Sequence, residues 1–151
     1  MNFKKWVGPL IVSLAVIAGG AFLVFKMNND QASLQLSGER YHISVMRTPE
    51  QLQKGLSGSE SLPDGEAMVF VFPADDTWGI WMKDMNYPID IVWLNSEREV
   101  VYLVKNAEPS SYPDTTFKPD VNSRYVIELP SGTIERTGIT IGDLAGMPSG
   151  V

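Results

Sequence analysis

Trp78-Gly79-Ile80-Trp81-Met82-Lys83-Asp84-Met85-Asn86-Tyr87-Pro88-Ile89-Asp90-Ile91-Val92-Trp93 sets the reading of this chain. It places three tryptophans, one lysine and a mid-strand aspartate within sixteen residues. Ile89 to Leu94 reads as a β-strand. Side chains alternate between the faces of a strand, so Ile89, Ile91 and Trp93 share one face and Asp90, Val92 and Leu94 the other. Asp90 is thus flanked by apolar residues, where a carboxylate needs a partner or a raised pKa. The Lys83–Tyr87 connection is short, so the strands it joins are expected to be adjacent. Lys83 and Asp90 are expected to pair as charges, with Arg124 or Glu128 nearby. On Arg124–Leu129, Arg124 and Glu128 share a face with Val126.

Outward from this stretch, short β-like runs alternate with turn residues. Leu34 and Leu36, then Tyr41, Ile43 and Val45, alternate with mostly polar neighbours around Ser37-Gly38, which predicts a hairpin. Thr48-Pro49-Glu50-Gln51 predicts a helix start, with Thr48 as cap, Pro49 in the first turn and Gln51 at the capping-box position. Gly55 is the expected stop. Met68–Phe72 is a continuous apolar run ended by Pro73 and reads as a buried strand. Trp78–Met82, Glu99–Lys105, Arg124–Leu129 and Ile139–Leu144 are further expected strands, the last closing the sheet. Residues 106–123 form a long loop, and Thr133–Thr137 one helical turn stopped by Gly138. The expected fold is mainly β: a small barrel or sandwich of about seven short strands with one or two short helices, preceded by an N-terminal transmembrane helix. Parallel winding through crossover helices is disfavoured, because the connections are short.

The N-terminus reads differently. Trp6 to Phe25 carries no charged side chain, and twenty residues of helix rise about 30 Å, enough to cross a bilayer core. Lys4, Lys5 and the free amine outweigh Lys26, which favours an N-terminus in the cytoplasm and the domain outside. The alternative is a cleaved signal sequence, with a secreted or periplasmic product, but the run is long and its exit lacks a pair of small residues. The expected organisation is a membrane anchor or signal over residues 1–26, a tether over 27–32, a mainly-β domain over 33–146 and a frayed tail over 147–151. All 18 acidic residues follow Lys26, whereas three of the 12 basic ones lie at or before it. The acidic remainder argues against nucleic acid as a partner. There is no cysteine, which excludes disulfides, thiolate metal sites and cysteine nucleophiles.

The order of motifs resembles a known family. The pieces are Gly55-Leu56-Ser57-Gly58, Met68-Val69-Phe70-Val71-Phe72, Ile80-Trp81-Met82-Lys83, Tyr87-Pro88-Ile89-Asp90-Ile91, Arg124-Tyr125-Val126-Ile127-Glu128 and Gly138-Ile139-Thr140-Ile141-Gly142-Asp143. Together they look like the uncharacterised prokaryotic family catalogued as domain of unknown function one-nine-two. The resemblance covers nearly all of the chain after the anchor, and it implies a small mainly-β domain, often exported or membrane-attached, with no agreed activity. Ala67 stands where a glycine is usual and Ile80 where a phenylalanine is usual. Neither change removes a chemical group.

Two functions fit these residues. The first is a membrane-tethered binding or accessory module without catalysis, its candidate ligand site formed by Trp78, Trp81, Lys83, Tyr87, Asp90, Arg124 and Glu128. Aromatic residues beside turns suit a sugar ring or a partner's apolar surface, so the candidate ligands are a small molecule, a glycan or a protein. The second is a small envelope hydrolase using Asp90 and Glu128 as paired carboxylates. A structural ion-pair cluster is the plainer account of the same charges, and Trp81 and Trp93 are plainly read as core. No cofactor or metal is called for: Asp75, Asp76 and Asp84 lack EF-hand spacing. His42, the single histidine, is expected to face solvent. No Gly-x-Ser-x-Gly elbow surrounds a serine, and no glycine-rich phosphate loop is present.

Overall fold

A computed structural model describes residues 32–151. The anchor and most of the tether expected from the sequence lie outside the described residues. Six strands form one sheet: β1 (Ser33–Leu36), β2 (Glu39–Met46), β3 (Glu66–Asp76), β4 (Ile89–Leu94), β5 (Val100–Ala107) and β6 (Ser123–Pro130), in the order β1-β2-β3-β6-β4-β5. Among the described residues, two short helices, α1 (Pro49–Lys54) and α2 (Thr133–Thr137), and a 3-10 turn at Pro109–Ser111 complete the regular structure. The fold is mainly β, but it is neither a closed barrel nor seven-stranded.

Local signals produce the elements they promise. Ser37 and Gly38 both adopt positive φ, the conformation that matches a two-residue hairpin turn to strand twist, and β1 and β2 pair antiparallel across it. At α1, the Thr48 hydroxyl accepts from the Gln51 N–H and the Gln51 side chain accepts from the Thr48 N–H. Gly55 ends the helix at φ 46°.

Three expectations are corrected. First, β2 and β3 pair in parallel. α1 and the loop to Glu66 supply a crossover long enough for this with only six helical residues. Second, β3 continues past Pro73. Its register against β6 shifts between Val71 and Asp76, and such an irregularity accommodates a residue that cannot donate to the ladder. Third, Trp78–Met82 and Ile139–Leu144 are not strands. Ile80 alone bridges, to Phe117, with two backbone bonds of 2.8 Å. Leu144 makes an isolated bridge to Glu99, just before β5, and Gly146, beyond the later segment, makes another to Gln35 of β1. The tail expected to fray is held down, because the Arg98 guanidinium donates to the Met147 and Val151 carbonyls at 2.7 and 3.1 Å.

The sheet buries both faces. One face packs Leu34, Val69, Val92 and Ile127 beneath Ile134 of α2 and Ile139. The other packs Phe70, Phe72, Ile91, Trp93 and Val126 beneath Leu56, Ile80 and Met82. β4 is buried along its whole length, and its residues divide between the faces as the alternation predicts. β6 lies between β3 and β4, and Val126–Leu129 at its centre are buried, so a polar side chain there enters the densest part of the molecule.

Candidate functional site

Glu128 is such a side chain. It stands on β6, opposite Met68 of β3 and Ile91 of β4, on the face that holds Phe70 and Trp93. It is 4% exposed, and its Oε2 has no hydrogen-bond partner. Burial without a compensating charge pushes its carboxyl up to about 8, because the neutral form is the cheaper one to keep out of water.

The carboxyl lies at a cleft of about 290 Å³, at the small end of the ~300–1,000 Å³ range of ligand pockets. Phe70 and Phe72 line it from the sheet side, with Leu52, Leu56, Ile80 and Trp81 contributed by α1 and the loops. Gly55 is required here. A Cβ on it would lie 3.1 Å from Phe70 Cζ and 4.0 Å from Glu128 Oε2, so a side chain would crowd the ring and fill the space before the carboxyl. The positive φ of Gly55 adds a second reason. Lys54 also lines the cleft, and an adjoining hollow shares Lys54, Ser57 and Trp81 and extends to Glu50, Lys83 and Asp84.

The structure brings together some of the residues expected at a site and separates others. Trp81 and Glu128 line one cleft. Trp81 is 46% exposed and is not core, whereas Trp93 is fully buried. Trp78 acts as a buttress: its ring stacks on Phe72 with centroids 4.2 Å apart, and its carbonyl accepts from the Trp93 indole at 2.8 Å. The Tyr87 hydroxyl bonds Ser59 at 2.5 Å and fixes the loop. Lys83 is exposed at the mouth of the hollow, its carbonyl held by the Ser57 hydroxyl at 2.8 Å.

Asp90 is elsewhere, and the expected Lys83–Asp90 pair does not form. Asp90 is 1% exposed on the opposite face. Its two oxygens accept from the Asn106 N–H at 2.8 Å and the Ile134 N–H at 2.7 Å. The first bond fills the irregularity where β5 slips against β4 between Ile89 and Ile91. The second caps α2, whose own N-cap residue, Gly132, has no side chain to do so. Arg124 is likewise committed: its guanidinium donates to Asp75 at 2.6 Å and to the Pro73 carbonyl at 3.2 Å. Among the described residues the only ion pairs are Arg124–Asp75 and Arg136–Glu39.

Asp90 aligns with Leu129, and Glu128 with Ile91, so the two carboxylates project from opposite faces of the sheet. They cannot attack one bond from two sides, and the paired-carboxylate hydrolase loses its geometry. His42 is exposed, as expected. Among the described residues, no cluster of three or more histidines and carboxylates is arranged to hold a metal.

Residues 32–146 match the family model DUF192, described as "Uncharacterized ACR". The chain belongs to the DUF192 family. A protein named "UPF0127 protein" from Thermococcus sibiricus is 37% identical over 79 residues, which cover 51% of this chain and 48% of that one. The match thus spans about half the length of that relative. A crystal structure of a protein of unknown function from Novosphingobium aromaticivorans shares 28% identity at a TM-score of 0.71, over 76% of this chain and 83% of that one. A crystal structure described as a putative transcription regulator from Sinorhizobium meliloti shares 24% identity at a TM-score of 0.72, over 77% of this chain and 92% of that one. That second likeness is one of fold alone. The DUF192 motifs around Gly55, Phe70, Trp81 and Glu128 all meet at the cleft.

Of the residues expected at a site, Trp81 and Glu128 line the cleft, together with Lys54, Gly55, Phe70, Phe72 and Met85, which the sequence pattern did not single out for a site. Gly55 was legible only as the stop of α1. Nothing local to the sequence placed the loop that follows it over β6.

Proposed function

We propose that this DUF192 domain is a small-ligand binding module, and that it operates on the outer side of a membrane to which Trp6–Phe25 tethers it. One observation carries the binding function: Glu128, a carboxyl buried at a cleft with an oxygen that no protein group satisfies. Buried polar atoms are nearly always bonded, and an orphan at a cavity calls for a bound partner. The apolar and aromatic walls would hold the body of the ligand, while Glu128 would orient its polar head. Nucleic acid has no place in this reading, because the chain is acidic, with a net charge of −6.

The test is a ligand screen on the full-length protein, read by the indole NMR signal of Trp81. Ligands that shift it should lose binding in Glu128→Gln. A screen in which every hit ignores both Trp81 and Glu128 would overturn the cleft as the site. The tether is tested separately, by intact-mass analysis of the membrane fraction. A mature chain beginning near Ala32 or Ser33 would remove it.

A further inference from the structure

The cleft's charge pattern restricts its ligand further, on the premise that the cleft binds at all. Glu128 and Lys54 are the two charged residues that line it. Arg124 shares the face of Glu128 but turns away to Asp75 and Pro73, so the fold withholds a built-in cation from the carboxyl. Phe70, Phe72 and Trp81 line the same space; Trp78 covers one face of Phe72, so the half-exposed Trp81 indole is the ring with most freedom to meet a cation. A lone ammonium would meet repulsion from Lys54, however. A ligand that also carries a carboxylate relieves it. The adjoining hollow adds Glu50, Lys83 and Asp84, but among the described residues Lys54 is in no ion pair.

The geometry points to a small amino-carboxylate as the ligand, its ammonium bonded to Glu128 Oε2 among the aromatic rings and its carboxylate directed to Lys54. The cleft's modest volume of about 290 Å³ suits a molecule of this size. Free Glu128 holds a proton, since its carboxyl titrates at about 8. An incoming ammonium keeps its own protons and converts the carboxyl to carboxylate, so one proton passes from Glu128 to the buffer. A neutral hydroxyl head would bind without releasing one.

Calorimetry of the full-length protein in buffers of different ionisation enthalpy reads that proton directly. The probes are δ-aminovalerate, δ-hydroxyvalerate and n-pentylamine, with Trp81 shifts reporting occupancy. Near pH 7, δ-aminovalerate should bind with release of close to one proton, and at about pH 9.5 the release should vanish because Glu128 is already ionised. The hydroxy analogue and Glu128→Gln should each weaken binding at least about tenfold, the scale of a lost charge-assisted bond. Pentylamine should also bind more weakly, and Lys54→Gln should remove its disadvantage. Equal binding of the hydroxy analogue, or amine binding without proton release near pH 7, would overturn the amino-carboxylate while leaving the cleft a binding site. No Trp81 shift with any probe overturns it too. If a broad screen then also leaves Trp81 unmoved, the binding function falls with it.

Discussion

Two buried carboxyls stand on neighbouring strands of one sheet and live opposite lives. Asp90, on β4, faces α2 and spends both oxygens on backbone N–H groups of Asn106 and Ile134. Glu128, on β6, faces the aromatic side and leaves Oε2 without a partner. They lie one register step apart, since Asp90 aligns with Leu129 and Ile91 with Glu128. The difference teaches that burial alone does not separate a structural acid from a functional one. The separating observation is whether the fold itself satisfies the group. Asp90 completes a strand irregularity and a helix start. Glu128 completes nothing in the protein, and its cost is borne by the neutral form it adopts.

Removing the satisfied acid should do the greater damage. Asp90→Ala leaves two backbone donors unbonded in a buried place, and should cost about 3–5 kcal/mol of stability by urea denaturation. A loss below about 1 kcal/mol would mean that Asp90 is no more integral than Glu128, and the contrast would collapse.

The unsatisfied acid should show itself through pH. Glu128 titrates at about 8 in the folded protein against an ordinary 4.5. Between those values the folded state holds a proton that the unfolded state has lost, so stability falls as pH rises. Its contribution is full below about 4.5, declines by about 1.4 kcal/mol per pH unit through the window, and levels off above about 8. Urea midpoints across pH 5–9 should follow that slope, and Glu128→Gln should flatten it. A wild-type profile with the same shape as the Gln variant would contradict a raised carboxyl.

Much of this contrast could not be read in the sequence, and the reasons are specific. The alternation in Ile89–Leu94, the Ser37-Gly38 hairpin and the Thr48–Gln51 cap were legible because neighbouring residues determine them. The burial of Asp90 was legible for the same reason. Its partners were not: they are backbone groups sixteen and 44 positions away, which no side-chain pattern announces. Lys83 is the cation nearest Asp90 in sequence, yet it faces solvent. The parallel β2–β3 pairing was hidden because α1 is too short to look like a crossover. Glu128 was visible as a carboxyl on an apolar strand, but its solitude depends on Arg124 turning to Asp75, a contact set by the β3 irregularity.

Two smaller effects sharpen the contrast between framework and cleft. Arg98→Ala should release the tail from the start of β5 and cost about 1–2 kcal/mol, because it removes charge-assisted bonds to the Met147 and Val151 carbonyls. Hydrogen exchange at Met147–Val151 should quicken accordingly. No change at the tail would leave it without an anchor there. Trp81→Ala should alter stability by no more than about 0.5 kcal/mol, since the ring is half exposed, while binding in the cleft is lost. A large loss of stability with binding intact would return Trp81 to the framework.

The most direct measurement is the titration of Glu128 itself. Its side-chain carboxyl can be followed by carbon NMR in the full-length protein, assigned by the signal that disappears in Glu128→Gln. The structure predicts a midpoint near 8 in the absence of ligand. A midpoint in the ordinary glutamate range, near 4.5, would mean that the carboxyl is solvated or partnered after all, and would contradict its place as the unsatisfied floor of the cleft.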